Sequence, residues 1–272
     1  MLRPLKIIHE YVVAYVLLAL LGLICLLFSV WALLMYPLLS RRAGTAAGRV
    51  GIMAGFRMFS WLLTATGAYR LDLTAIDSLR EGPPVILAPN HPSLIDALLI
   101  LTRHPNIACV LKAELMRNVF LGAGSRLAGY IPSDQPRQMI KDAVADLRNG
   151  GVLLLFPEGT RTTRSPLNPL KASIGVIAKH AHVPVQVVII ETDSPYLGKG
   201  WPLFRRPNLP ITYRVRLGRR FDPPTDVNSF MTALEREYVQ QLTGALQSEW
   251  LGEHGVSRLS PYSQPSSHSS GR

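Results

Sequence analysis

The N-terminal part of the chain carries a long apolar stretch. Residues 11–40 include no Asp, Glu, Lys or Arg. A helix of about 20 apolar residues is long enough to cross the hydrocarbon core of a bilayer, whereas the apolar core of a cleaved signal peptide is only about 7–15 residues long. The pattern therefore predicts a retained membrane helix, which Pro37 ends or kinks because proline interrupts the helical hydrogen bonds.

A second apolar segment follows a break that is rich in glycine and alanine. The break covers residues 42–51, and the apolar segment covers residues 52–69, in which Arg57 is the only charged residue. We predict that this segment forms an interfacial helix lying against the bilayer. A buried core helix is the alternative, and the pattern alone does not decide between the two.

Basic residues flank the membrane helix unequally. Cytoplasmic flanks of membrane helices carry an excess of Lys and Arg, and more of them follow the helix than precede it. We therefore predict a protein that is single-pass or tightly associated with the membrane, with its long C-terminal part on the cytoplasmic side. The preceding basic residues are Arg3 and Lys6, and the following ones are Arg41, Arg42, Arg49 and Arg57.

The pattern changes at residue 71, where short apolar runs begin to alternate with amphipathic helical segments. Short continuous apolar runs are typical of strands that are buried on both faces of a parallel sheet. The alternation predicts an α/β fold with a mostly parallel sheet flanked by helices. The predicted strands are 85–88, 107–111, 152–156, 183–190 and 211–217, and the predicted helices are 136–148, 171–182 and 227–246.

These patterns divide the chain into four parts. We predict an N-terminal membrane anchor at 1–50, an interfacial helix at 51–70, an α/β domain at 71–253 and a tail at 254–272. The tail is rich in serine and poor in apolar residues, so it is predicted to be disordered.

Composition supports a membrane-associated protein. The formal net charge is +11, yet only 17% of residues are charged and 48% are hydrophobic, against about 25% charged in an ordinary soluble domain. A chain that is both basic and apolar suits an anionic membrane surface better than nucleic acid. The two cysteines, Cys25 and Cys109, are too few for a disulfide scaffold or a four-cysteine metal site. No metal site and no nucleic-acid partner is expected.

The first candidate site follows a predicted strand directly, with the sequence Asn90-His91-Pro92-Ser93-Leu94-Ile95-Asp96. Pro92 suits the first turn of a helix, which places His91 at the corner between strand and helix. A carboxylate five residues later can fold back onto the imidazole and fix its tautomer. A histidine held in this way can act as a general base.

The second candidate site ends another buried strand, with the sequence Phe156-Pro157-Glu158-Gly159-Thr160-Arg161. Parallel sheets bind ligands beyond the carboxyl ends of their strands, so this segment and the histidine segment are expected to share one cleft. An arginine offers a planar fork for phosphate, a glutamate can accept from a hydroxyl, and a glycine permits a tight turn.

Together the two segments resemble the glycerolipid acyltransferase family, whose type member is 1-acylglycerol-3-phosphate acyltransferase. That family has an NHxxxxD motif and an FPEGTR motif in this order and at about this separation. Further similar segments are Lys112-Ala113-Glu114-Leu115, Gly129-Tyr130-Ile131-Pro132-Ser133-Asp134 and Val183-Pro184-Val185. The resemblance covers residues 71–221 and implies that 71–253 is an acyltransferase domain.

The resemblance implies a reaction and a role for each matching residue. His91 would deprotonate an acceptor hydroxyl, which attacks an acyl thioester, and Asp96 would orient the histidine. The co-substrate would be acyl-CoA or acyl-carrier protein, with no other cofactor and with membrane lipids as partners. The implied substrate-binding residues are Lys112, Glu158, Gly159, Thr160 and Arg161, and Pro184 is implied as part of the acyl-binding wall.

One position departs from the family's pattern. The second motif of the family ends in Asp-Arg, with the arginine on the phosphate, whereas this chain has Asp134-Gln135. Arg126 and Arg137 lie nearby but not at the matching position. The resemblance makes lysophosphatidate the first expected acceptor, and the departure at Gln135 favours, as the alternative, a lyso-acceptor with an aminolipid, sugar or polyol head group. A membrane-tethered basic binding protein without catalysis is the alternative from another class.

Overall fold

A computed structural model of the chain describes residues 2–202 and 204–254. The helices are α1 (Leu2–Met35), α2 (Arg41–Ala65), α3 (Asp96–Leu101), α4 (Ala113–Met116), α5 (Gly122–Leu127), α6 (Pro136–Arg148), α7 (Ser173–Ala181) and α8 (Val227–His254). The strands are β1 (Tyr69–Asp72), β2 (Ile86–Pro89), β3 (Ile107–Leu111), β4 (Ile131–Pro132), β5 (Val152–Leu154), β6 (Val185–Thr192) and β7 (Ile211–Phe221), and a 3₁₀-helix covers Thr74–Leu79.

The seven strands form one sheet in the order β1-β7-β6-β2-β5-β3-β4. Every neighbouring pair is parallel except β6 and β7, which are antiparallel. The predicted α/β fold with a mostly parallel sheet is therefore confirmed. The carboxyl ends of β2, β5 and β3 lie side by side, and the two candidate motifs leave the sheet there.

The sheet is covered on both faces, which explains why its central strands are continuously apolar. One face packs against α6, α7 and α8, through residues such as Leu147, Ile177 and Leu234. The other face packs against α1, α2 and α3, through residues such as Leu17 and Phe59. The helix predicted at 136–148 has its predicted bounds, because a periodic apolar stripe and the glycine pair after it mark both of its ends.

The glycine-rich segment after α1 is helical, so the break predicted at 42–51 is wrong. Helix α2 runs without interruption from Arg41 to Ala65. Its small residues allow close packing: a Cβ on Gly48 would lie 2.6 Å from the backbone nitrogen of Ala128, and Gly55 faces Ile24 of α1. Glycine disfavours a helix in isolation, but in α2 it stands where neighbouring segments approach the helix backbone closely.

Helix α1 is the one described helix that is long and apolar enough to cross a membrane, over residues 4–35. It ends two residues before Pro37, as the sequence predicts. One stripe of the helix, including Glu10, Ala14, Leu17 and Ala32, is buried against the rest of the chain. The opposite face exposes apolar side chains, among them Val12, Val16, Leu23, Leu27, Val30 and Leu34.

The C-terminal helix is longer than predicted. Helix α8 extends to His254, whereas the sequence predicted a helix at 227–246 and a tail from residue 254. Residues 255–272, which make up the rest of the predicted tail, lie outside the described residues.

A buried arginine fastens α2 to the α/β domain. Arg49 donates through Nε to the carbonyl of Ala128 (3.1 Å) and through Nη1 to Asn106 Oδ1 (2.7 Å). Its Nη2 forms an ion pair with Asp146, near the end of α6. The arginine side chain is 3% exposed and the aspartate 19%, so solvent reaches the aspartate more readily.

Because Arg49 is more deeply buried than Asp146, removing one partner or the other is expected to lower the free energy of unfolding by different amounts. Asp146→Ala leaves a cation buried among neutral groups, and we expect it to lower the free energy of unfolding by about 3–5 kcal/mol. Arg49→Met leaves a carboxylate that water can partly solvate, and its cost is expected to be smaller. Denaturant unfolding of the purified protein measures both, and a larger loss for Arg49→Met would contradict this account.

Candidate active site

The two motifs meet at the carboxyl edge of the sheet, as the sequence predicts. His91 follows β2 by two residues, and Glu158 follows β5, the neighbour of β2. The His91 N–H donates to Glu158 Oε1 at 3.0 Å, and the Thr162 N–H donates to the His91 carbonyl at 2.7 Å. The histidine corner is thus tied by its own backbone to the second motif.

His91 and Asp96 form the predicted pair. The distance from His91 Nδ1 to Asp96 Oδ2 is 2.8 Å, and the Ser93 N–H donates to the same oxygen at 2.7 Å. Asp96 is the first residue of α3, so the helix begins later than Pro92 suggested. Because Nδ1 is held by the carboxylate, Nε2 is the nitrogen available to a substrate.

Burial and stacking position the pair. Asp96 is fully buried, while the His91 side chain is 17% exposed, so only the histidine can meet a substrate from solution or membrane. The His91 ring stacks on Phe156 with centroids 3.9 Å apart. Burial raises the pKa of Asp96, and the hydrogen bond with His91 opposes that rise. The arrangement is a histidine base oriented by a buried carboxylate.

Asn90 locks the strand end that carries the histidine. Its Nδ2 donates to the Ile190 carbonyl (3.0 Å), and its Oδ1 accepts from the Ile190 N–H (2.7 Å). These two bonds join the end of β2 to β6. The sequence placed Asn90 in the motif without assigning it a role, and the structure shows a positioning role.

Glu158 differs from its sequence-based expectation. It is 3% exposed, and its Oε1 accepts from both the His91 N–H and the Thr162 hydroxyl. Its Oε2 accepts from the Asn168 N–H at 3.0 Å. A buried carboxylate with these partners holds loops together, so we treat Glu158 as a positioning residue rather than a direct ligand of substrate.

Arg161 reaches a loop that the sequence did not connect with the site. Its Nη1 donates to the carbonyls of Leu197 and Gly198, at 2.8 and 3.1 Å. The Leu197 carbonyl also accepts from the Leu94 N–H (3.0 Å), next to the histidine corner. The other N–H groups of the guanidinium can still bind a ligand, and the side chain is half-buried.

Of the remaining predicted site residues, three lie near the carboxyl ends of the strands and one does not. Lys112 is exposed and directly follows β3, beside the end of β5, and Gly159 and Thr160 lie in the turn before Arg161. Pro184 lies at the opposite edge of the sheet, where the parallel strands begin, since its carbonyl accepts from the N–H of the first residue of β2. Five residues at about 3.3 Å each separate that edge from His91, so Pro184 does not border the histidine corner.

No group of three or more His, Cys, Asp or Glu side chains that could hold a metal ion occurs in the part of the chain that the structure describes. The histidine corner and the turn of Arg161 carry hydrogen-bonding and cationic side chains. They can move a proton at His91 Nε2 and can hold an anion at Arg161.

Comparisons with known proteins show which proteins the chain is similar to. A family model described as Acyltransferase matches residues 70–191. A 1-acyl-sn-glycerol-3-phosphate acyltransferase from Pseudomonas aeruginosa is 27% identical over 168 residues, covering 60% of this chain and 63% of that protein. One from Limnanthes alba is 27% identical over 228 residues, covering 81% of this chain and 73% of that protein.

A solved structure shares the fold. The 1-acyl-sn-glycerophosphate (LPA) acyltransferase PlsC from Thermotoga maritima superposes with a TM-score of 0.67 at 18% sequence identity. The match covers 88% of this chain and 97% of that one. The similarity therefore extends beyond the α/β domain to the N-terminal helices.

Proposed function

Because the chain belongs to the glycerolipid acyltransferase family, we propose that it transfers a fatty acyl group to the free hydroxyl of 1-acylglycerol-3-phosphate. The product is phosphatidate. The observation that carries this proposal is the His91–Asp96 pair, 2.8 Å apart, in a corner whose backbone is bonded to the turn of Arg161.

The proposed reaction proceeds in one addition and one elimination. His91 Nε2 accepts the proton of the acceptor hydroxyl as its oxygen attacks the thioester carbonyl carbon. The carbon–sulfur bond then breaks, and the departing thiolate takes the proton back from the imidazolium. Asp96 stabilises the imidazolium while it exists. No covalent acyl-enzyme is needed, because the thioester is already activated.

The phosphate of the acceptor is proposed to bind at Arg161, with Lys112 as a second cation. Arginine suits this role because its planar fork can make two parallel hydrogen bonds to phosphate oxygens. The donor is proposed to be acyl-CoA or acyl-carrier protein. Glu158 holds His91 and the turn that carries Arg161 in fixed positions relative to each other.

We further propose that α1 and α2 hold the enzyme on the cytoplasmic face of a membrane. The buried stripe of α1 extends from Glu10 to Ala32, about 33 Å of helix at 1.5 Å per residue, so the domain accompanies the helix along most of its length. A polar domain cannot follow a helix through hydrocarbon. The outer apolar faces of both helices therefore favour tight association with one surface, where lipid substrates reside.

An acceptor panel tests this proposal. Purified full-length protein in vesicles is given acyl-CoA with lysophosphatidate, lysophosphatidylethanolamine, a lyso-sugar lipid or monoacylglycerol. We expect lysophosphatidate to be acylated at least about tenfold faster than monoacylglycerol, because one charge-assisted phosphate contact has about that value. Faster acylation of another lysolipid would favour the alternative that Gln135 suggests. Acylation of none, together with retained binding to anionic vesicles, would favour the binding-protein alternative.

A further inference from the structure

A lysine from farther along the chain lies on the turn that carries Arg161. The N–H of Lys171 donates to the Pro157 carbonyl at 2.8 Å, which fixes the lysine backbone beside this turn. Its side chain then crosses Gly159: a Cβ on that glycine would lie 2.5 Å from Lys171 Nζ. The ammonium group therefore rests over the backbone of Gly159, two residues before Arg161.

Glycine is the residue that this approach requires. A Cβ essentially never comes within 3.0 Å of another heavy atom, so any other residue at position 159 would displace the end of the lysine. Gly159 also has φ +66°, which glycine adopts without steric cost. The same position thus permits the turn and leaves room for the cation above it.

Lys171 carries a charge that no carboxylate of the described residues neutralises. Its side chain is exposed, and the ion pairs found within 2–202 and 204–254 do not include it. The adjacent carboxylate of Glu158 accepts from three other donors. The ammonium group of Lys171 is therefore available to an anion that binds at this turn.

Position 135 carries Gln in place of the phosphate-binding arginine of the family's second motif. Another cation would therefore have to bind the phosphate. The strand before Gln135 is β4, at the edge of the sheet. Arg126 donates to the Met116 carbonyl at 2.5 Å, and Arg137 is on the exposed surface of α6. The carbonyl that Arg126 contacts lies outside the turn of Arg161, whereas the end of Lys171 lies directly on that turn.

We propose that Lys171 is a phosphate-binding residue of this cleft, acting with Arg161 on the phosphate of the acceptor lipid. This inference rests on the proposed function. CoA and phosphopantetheine also carry phosphate, but their phosphates are separated from the thioester by a long chain. In the acceptor, only a few bonds separate the reacting hydroxyl from the phosphate, so that phosphate has to bind close to His91.

Steady-state kinetics of Lys171→Gln test the inference, with Lys141→Gln as the matched control. Lys141 is an exposed lysine on α6. We expect Lys171→Gln to raise the KM for lysophosphatidate about tenfold, the value of a modest charge-assisted hydrogen bond. The KM for acyl-CoA and the rate with monoacylglycerol should not change. Lys171→Arg should retain most of the affinity, and added salt should reduce the difference from wild type.

Each outcome has a distinct meaning. An unchanged KM for lysophosphatidate in an active Lys171→Gln variant would overturn the role of the lysine and leave the proposed function intact. A raised KM for acyl-CoA instead would assign the lysine to the phosphate of the donor and overturn the acceptor assignment. A wild-type protein that forms no phosphatidate would overturn the proposed function, and the inference with it.

Discussion

Replacing His91 with alanine is expected to lower the rate of acyl transfer by about 10²–10⁴-fold, the usual contribution of a general base. The hydroxyl of the acceptor would then have to attack while still protonated. The ring is 17% exposed and stacks on Phe156, so its loss should disturb packing less than the loss of a core residue. Initial rates of phosphatidate formation measure the effect.

His180→Ala is the matched control for this experiment. His180 is an exposed histidine near the end of α7, and its removal should leave the rate unchanged. Denaturant midpoints of both variants should stay close to that of wild type, which separates loss of chemistry from loss of fold. Full activity of His91→Ala would refute the general-base mechanism.

Replacing Asp96 with asparagine is expected to cost about 10³-fold in kcat. The asparagine oxygen can still accept from the His91 ring and from the Ser93 N–H, so the orientation of the ring is retained. The charge that stabilises the imidazolium is lost, and a nearby charge pair is worth about 4 kcal/mol at an effective dielectric constant of 20, or about three factors of ten. Single-turnover rates with saturating substrates measure the effect.

The double variant distinguishes this role from an independent one. Because Asp96 acts through His91, His91→Ala combined with Asp96→Asn should be no slower than His91→Ala alone. Additive losses would show that the aspartate contributes by another route, and an unimpaired Asp96→Asn enzyme would show that its charge is not needed.

The His91–Asp96 pair also determines how the acyl-transfer activity depends on pH. Burial raises the pKa of the Asp96 carboxyl above its ordinary value, so this carboxyl takes up a proton at a higher pH than an exposed aspartate does. A proton taken up by Asp96 as the pH decreases removes the counter-ion of His91. Activity of the wild type is therefore expected to fall as the pH decreases, and Asp96→Asn should change the shape of that acid limb. A pH–rate profile of kcat/KM measures both.

Much of the fold could be predicted because its central strands are short, continuous apolar runs. The run at 107–111 has the same bounds in the structure, and the runs ending before His91 and Glu158 place both motifs at one edge. The start of α2 could not be predicted from local pattern. Its glycines are poor helix formers, and only the neighbours that pack on them, such as Ala128, show why they are there.

The site could be predicted in its chemistry but only partly in its contacts. A histidine and an aspartate five residues apart indicated the base, and the structure brings them within hydrogen-bond distance. Whether a polar side chain meets substrate or holds a loop depends on burial, which the motif alone does not give. The burial of Glu158 and its three donors therefore favour a positioning role that the sequence did not suggest. Lys171 carried no sequence signal near the motif, since only folding brings it back over Gly159.

The most direct test of acyl transfer with His91 as the general base is mass spectrometry of lipids and protein after one reaction. Purified wild-type protein and His91→Ala are each incubated with lysophosphatidate and acyl-CoA that carries an isotopically labelled acyl chain. We expect labelled phosphatidate from the wild type, at least about 10²-fold less from the variant, and no label on the protein. Equal phosphatidate from both proteins, or a labelled acyl-enzyme, would contradict this expectation.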